Sequence, residues 1–185
     1  MIPKFSSQTE SDEFLTLSKT IQAGSYENAL TMSKEMLEKY PDNKHIYHNQ
    51  IGAMIYLSKN DYWGATRHYE KALEYGFPAD TCEDNIWESA EDSFKFLIDS
   101  EAGFCAVMGD DGNIVTRVYT LVENYKNVFP SGKFNDKADE LLFIYENIAG
   151  SVFDDAEALR QAYNSSFADA NYNELLDELC RIYFK

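Results

Sequence analysis

Apolar residues recur along most of this chain at intervals of three and four positions. That spacing places them on one face of an α-helix. Phe14, Leu17 and Ile21 form the first such group, and Gly24 ends it because glycine favours the left-handed helix stop. No segment alternates in a way that predicts a β-strand. The pattern therefore predicts an all-α protein of about eight to nine helices.

The first helix is expected to begin at Ser11 as its N-cap, after a frayed terminus over residues 1–9. The stretch 109–113 is interpreted as a turn from its composition, and no element is assigned to 103–108. The same periodicity predicts the later helices, at about 29–40, 46–58, 62–73, 80–99, 114–129, 135–149, 154–167 and 171–184.

A repeat organises the first half of the chain. Tyr26 and Tyr62 are 36 residues apart, and Pro41 and Pro78 are 37 apart. A period in this range is typical of stacked helix–turn–helix units. We therefore predict one continuous domain over 1–185, made of a first repeat, a second repeat, a diverged helix pair and C-terminal helices: 10–41, 44–78, 80–130 and 134–185.

The two repeats resemble tetratricopeptide (TPR) repeats. Ile51-Gly52 and Tyr56 are similar to the Leu-Gly pair and the Tyr of a first helix, whereas Ser33 stands where Tyr or Phe is usual in the first unit. The remaining residues that carry the resemblance match second helices: Gly24, Tyr26, Ala29 and Pro41, then Asp61, Tyr62, Ala65, Tyr69, Ala72 and Pro78.

The resemblance implies antiparallel helix pairs stacked in a short right-handed superhelix, whose concave face binds peptides or helices of other proteins. One TPR subtype clamps a C-terminal carboxylate, but of the corresponding positions Phe14, Ser18 and Asn49 only Asn49 suits that role. By family position, Asn49 and Tyr56 are candidate partner-binding residues.

The helix predicted at 80–99 carries acidic residues on one side. Asp84, Glu88 and Glu91 lie at helical spacing, opposite the apolar stripe. They are candidates for a strip that contacts a Lys/Arg-bearing partner. The alternative is a solvated face, which a Glu91–Lys95 pair at i, i+4 would support. Trp87 at its edge is either an interface anchor or a core aromatic.

The net charge of the chain limits the classes of partner that it could bind. The net charge is −16, and residues 81–185, with 8 basic and 21 acidic side chains, contribute −13 of it. Nucleic acid and anionic membrane surfaces are poor partners for such a chain. A basic protein is compatible, and so is a purely solubilising role of the charge.

Three cysteines, odd in number and without a CxxC motif, argue for a reducing compartment. The N-terminus shows no secretory signal and the apolar runs are too short to span a membrane. These features predict a cytoplasmic protein.

Catalytic and cofactor motifs are missing from the sequence. His45 and His48 are one turn apart but lack further ligands at metal-site spacing, His68 is isolated, and 110–113 reads as a turn rather than a calcium loop. We therefore expect no metal, no cofactor and no enzymatic activity.

Our main hypothesis is a non-enzymatic, adaptor-like module that binds a peptide or helix of another protein in a groove between the helices near 46–58 and 80–99. The first alternative is an acidic inhibitor, immunity-type protein or secretion chaperone that masks a basic partner. The second is an enzyme built on the C-terminal helices. The pattern is compatible with a monomer or a homo-oligomer.

Overall fold

The computed structural model describes residues 4–99, 113–149 and 152–184. Within them the chain contains nine α-helices, one short 3₁₀ helix and no β-strand, so the prediction of an all-α protein is confirmed. The predicted turn at 109–113 lies outside the described residues except for Asn113, with which a helix begins. The chain divides into two compact units, Met1–Ser89 and Ala90–Lys185. The single domain stays a prediction.

The described part of unit 1 contains four complete helices, each packed on the next in chain order, and the first part of a fifth. Its helices are α1 (Gln8–Gln22), α2 (Tyr26–Lys39), α3 (Lys44–Lys59), α4 (Tyr62–Glu74) and the first part of α5 (Ala79–Asp99). The apolar faces of α1, α2 and α3 meet in a core, which contains Leu17, Ala29, Leu30, Met36, Tyr40, Ile46, Tyr47, Ile51 and Met54.

The turns before α2 and α4 each contain a residue in the left-handed conformation. Gly24 between α1 and α2 has φ = 71°, and Asn60 between α3 and α4 has φ = 50°. Glycine and asparagine are the residues that take this left-handed conformation most readily. Asp61 then caps α4 by accepting a hydrogen bond from Gly64 N at 2.9 Å. The two turns, 36 residues apart, therefore reverse the chain in a similar way.

The beginning of the chain differs from the expectation. Ser7 rather than Ser11 caps α1, with its hydroxyl accepting from Glu10 N at 3.1 Å. The residues before the helix are also held in place, since Asn43 Nδ2 donates to Lys4 O at 3.2 Å. The prediction of a frayed terminus is wrong for residues 4–9, because Phe5 packs on Phe14, Asn43 donates to the carbonyl oxygen of Lys4, and α1 already begins at Gln8.

Unit 2 contains the rest of α5 and four further helices, in which α6 packs on α7, α7 on α8 and α8 on α9. Their bounds are α6 (Asn113–Val128), α7 (Asn135–Ala149), α8 (Ala156–Ser166) and α9 (Asn173–Tyr183). The predicted helices at 135–149, 154–167 and 171–184 agree with these bounds to within two residues. Among the helices of the described ranges, none combines the length and apolarity needed to cross a membrane.

Candidate functional site

Asn49 joins α3 to α5. In unit 1, Asn85 Nδ2 on α5 donates to Asn49 Oδ1 on α3 at 2.9 Å, and both side chains are half-buried. The two asparagines are 36 residues apart, the period of the repeat. Asn49 thus holds α5 beside α3 and leaves part of its amide accessible on that face.

Tyr56 lies two helical turns after Asn49 on α3 and is also half-buried. Its ring packs edge-on against Tyr62 at the start of α4, with centroids 5.5 Å apart. This aromatic contact holds the phenol at the α3–α4 turn, so Tyr56 serves the packing of the helix pair as well as its surface.

Asp84 and Glu88 on the unit 1 part of α5 are exposed, whereas Glu83 on the same helix is buried. Asp84 and Glu88, four residues apart, point away from the core, as the helical spacing predicted. Trp87 between them is only 4% exposed. Its ring is therefore part of the core, which is the second of the two interpretations of this residue. The outward face of this helix presents carboxylates without an aromatic anchor among them.

Glu91, one turn further along α5, belongs to unit 2 and is surrounded by donors. Its Oε2 accepts from Lys95 Nζ at 2.8 Å and its Oε1 from the Tyr172 hydroxyl at 2.5 Å. Burial opposes ionisation of this carboxyl, but the hydrogen bonds from Lys95 and Tyr172 outweigh it, so the pKa of Glu91 is lowered. The same burial and the carboxylate raise the pKa of Tyr172. Glu91 is therefore a half-buried anion with fixed partners.

A cleft of about 470 Å³ opens beside this pair, entirely within unit 2. It is bounded by α5, the beginning of α7, the α8–α9 connection and α9. Its lining combines ammonium, carboxylate, amide, phenol and apolar groups: Glu91, Lys95, Lys137, Asn171, Tyr172, Glu174, Leu175 and Glu178. Of these residues, only Glu91 was predicted as a site residue.

A buried carboxylate fixes one wall of the cleft. Glu140 on α7, only 2% exposed, accepts from the hydroxyl of Tyr163 and from Asn171 N and Nδ2, at 2.7 and 2.6 Å for the two Asn171 donors. Tyr163 in turn accepts a hydrogen bond from Tyr172 N at 2.9 Å. The backbone at 171–172 is thereby anchored to α7 and α8.

Sequence reasoning missed these wall residues because they come from three distant segments. The i, i+4 spacing of Glu174 and Glu178 was the one signal in the sequence, since it places both on one face of α9.

The histidines are arranged differently from the expectation. His68 is not isolated: its Nδ1 lies 3.0 Å from Nδ1 of His48, joining α4 to α3. His45 instead packs against Phe77, with ring centroids 6.3 Å apart. Helical spacing paired His45 with His48, but His48 points to the neighbouring helix. Across the described ranges, no three His, Cys, Asp or Glu side chains converge in a way that could hold a metal ion.

Comparisons with models of known protein families, with curated proteins and with solved structures each found no match for this chain. The resemblance to TPR repeats therefore remains a prediction from the residues themselves.

Proposed function

We propose that the protein is a non-enzymatic interaction module of TPR-like repeats that binds a basic peptide or helix of a partner protein. The observation that carries the proposal is the hydrogen bond between Asn49 and Asn85. It links residues one repeat period apart on α3 and α5, and α5 also carries the exposed Asp84 and Glu88.

Packing in unit 1 supports the TPR-like character. The turns at Gly24 and Asn60 occupy equivalent places in the repeat and share a left-handed conformation. Gly52 lies against the ring of Tyr69, so the glycine of the first helix meets the aromatic residue of the second. Such close approach of paired helices is what the small residues of the repeat provide.

Charge supports the choice of a basic partner. Asp84 and Glu88 are exposed, and the half-buried Asn49, bonded to Asn85 on the same helix as these acids, offers a polar group to a peptide backbone. Opposite charge accelerates encounter and selects partners more than it raises affinity. A segment with Lys or Arg at helical spacing could place its cations along this face.

Buried thiols are in keeping with a cytoplasmic site of action, which is part of the proposal. Cys82 and Cys180 are both buried and free, and burial raises the pKa of each thiol. Neither is positioned as a reactive nucleophile.

An immobilised peptide array tests the proposal. The full-length protein is applied to helical peptides that carry Lys or Arg at i, i+4, and to matched peptides in which these residues are Glu. We expect saturable binding to basic peptides only, weakening as salt is raised from about 50 to 200 mM because the Debye length shortens.

The double variant Asp84→Lys/Glu88→Lys is expected to lose about tenfold or more in affinity for the basic peptides. The matched control is Glu35→Lys/Glu38→Lys, which reverses two exposed acids on α2. Equal loss of affinity in both variants would show that binding depends on the net charge of the protein and not on this surface. Unchanged binding in the first variant would exclude this surface.

A further inference from the structure

Two opposite charges on the wall of the unit 2 cleft have no ionic partner. Within residues 4–99, 113–149 and 152–184, neither the ammonium of Lys137 nor the carboxylate of Glu174 makes an ion pair or a side-chain hydrogen bond. The Lys137 ammonium lies 5.9 Å from the ring of Phe134 and helps to lower the pKa of Glu91. The two groups come from different helices, α7 and α9.

The other charges of the cleft are paired. Glu91 holds Lys95 at 2.8 Å, and Glu178 is joined to Arg181 at 3.0 Å. Among the described residues, the two charged groups of the cleft that remain unpaired are one cation, Lys137, and one anion, Glu174. A ligand that satisfies both must itself carry one anion and one cation.

The rest of the lining suits a small polar molecule. The volume of about 470 Å³ lies in the lower part of the range of small-molecule sites. Leu175 contributes a half-buried apolar side chain between Glu174 and Glu178. Tyr172 is held at its backbone N–H and at its hydroxyl, so this wall is formed before any ligand enters.

We propose that this cleft binds a free α-amino acid as its zwitterion. The carboxylate pairs with Lys137, the ammonium pairs with Glu174, and the side chain lies towards Leu175. Charge-assisted hydrogen bonds at both ends supply affinity and orientation. A basic side chain alone would leave Lys137 unpaired and bring a further cation towards Lys95. A simple anion would leave Glu174 unpaired and meet the charge of Glu91.

The first test is a titration of the ¹⁵N-labelled full-length protein with each of the twenty amino acids, followed by NMR. We expect saturable shifts of the amide signals of Asn171, Tyr172 and Leu175 for a subset of them, at concentrations below about 10 mM. For the tightest binder, the decarboxylated amine and the deaminated acid are each expected to bind about tenfold more weakly.

Two variants test which protein side chain binds each end of the ligand. Lys137→Gln is expected to weaken amino-acid binding about tenfold and to remove the preference over the amine, whereas Glu174→Gln removes the preference over the deaminated acid. The controls Lys133→Gln and Glu157→Gln change exposed charges of unit 2 outside the cleft lining. They are expected to bind like the parent protein.

The proposal is overturned if none of the twenty amino acids gives saturable shifts. It is also overturned if the amine binds as tightly as the amino acid, which would make the cleft a site for a partner's basic side chain. The Asp84→Lys/Glu88→Lys variant tests only the peptide-binding surface of unit 1. Loss of peptide binding in that variant therefore neither supports nor contradicts the amino-acid site.

Discussion

The ring of Tyr69 occupies the space in which a side chain at position 52 would begin. A Cβ on Gly52 would lie 2.7 Å from Tyr69 Cε1 and 3.1 Å from the carbonyl oxygen of Ala65. Glycine inside a helix normally costs about 1 kcal/mol relative to alanine. Here it allows α3 and α4 to approach until the Tyr69 ring lies against the α3 backbone.

Gly52→Ala is therefore expected to destabilise the protein rather than stabilise it. The added methyl group must displace the Tyr69 ring or separate the helices, and overpacking of this kind costs about 2 kcal/mol. Urea unfolding measures the change in the free energy of unfolding.

A second variant separates this clash from a general sensitivity of α3. Tyr69→Leu removes the ring, so Gly52→Ala made in that background is expected to cost clearly less than in the parent protein. Equal costs in the two backgrounds would show that the ring is not what excludes alanine. Glu35→Ala on the exposed side of α2 is expected to stay within about 0.5 kcal/mol of the parent protein.

The His48–His68 pair is expected to make unit 1 sensitive to acid. Burial, His48 and Lys71 lower the pKa of His68 from 6.5 to about 4, and burial, Lys71 and Lys44 lower that of His48. Lys34 and Arg67 act in the same direction on His68, and Glu74 opposes the shift of His48. With both imidazoles neutral, one Nδ1–H donates to the other Nδ1; with both protonated, two donors face each other.

The unfolded chain therefore binds more protons than the folded chain between pH 6.5 and about 4. The contribution of the neutral histidine pair to the free energy of unfolding is fully present above pH 6.5. It is lost as the pH falls through that window, by about 2 kcal/mol. Urea unfolding at a series of pH values measures this slope. The difference between the parent protein and His68→Gln isolates it from carboxyl titration. His45→Gln is the matched control and should keep the parental slope; a parental slope in His68→Gln would contradict the assignment.

Glu10 is expected to hold the N-terminal residues to unit 1. Its side chain is fully buried and accepts from Ser6 N at 2.6 Å, from Asn43 Nδ2 at 2.7 Å and from the Tyr47 hydroxyl at 2.7 Å. Burial opposes its ionisation, but the bonds from Tyr47, Ser6 and Asn43 outweigh it and lower its pKa. Glu10→Ala leaves two buried donors without an acceptor, which costs about 2–4 kcal/mol.

Hydrogen exchange gives a readout beyond stability. The Ser6 amide donates to Glu10, so it is expected to lose its protection in Glu10→Ala. The matched control is Glu13→Gln on the same helix, whose ion pair with Lys39 is exposed and whose bond from the Tyr40 hydroxyl is only partly buried, so a small effect on stability is expected. An unprotected Ser6 amide in the parent protein would argue against the anchoring role.

Much of the local structure followed from the sequence because the apolar period is strong. The helices at 80–99 and 135–149 were predicted almost to the residue, and the pairing of Glu91 with Lys95 follows from their i, i+4 spacing. The start of α1 was missed by four residues, because Ser7 and Ser11 are both suitable caps and only the buried contact of Glu10 favours the earlier one.

The candidate surfaces were predicted only in part. Asp84 and Glu88 are exposed, as their spacing opposite an apolar stripe requires. Trp87 could not be assigned, because a residue at the boundary of an apolar stripe is buried or exposed according to which helix packs beside it. The cleft near Glu91 was missed altogether, since its walls come from three segments.

The sequence by itself determined that the chain is all-α, where most helices begin and end, and which side of each helix is apolar. These properties depend on residues three or four positions apart and on turn residues such as Gly24 and Asn60. The tertiary structure decided which side chains meet across helices: His48 with His68, Glu10 with Tyr47, Glu91 with Tyr172. Periodicity defines the face of a helix, but the contact made by that face depends on the position and rotation of a neighbour that is distant in sequence.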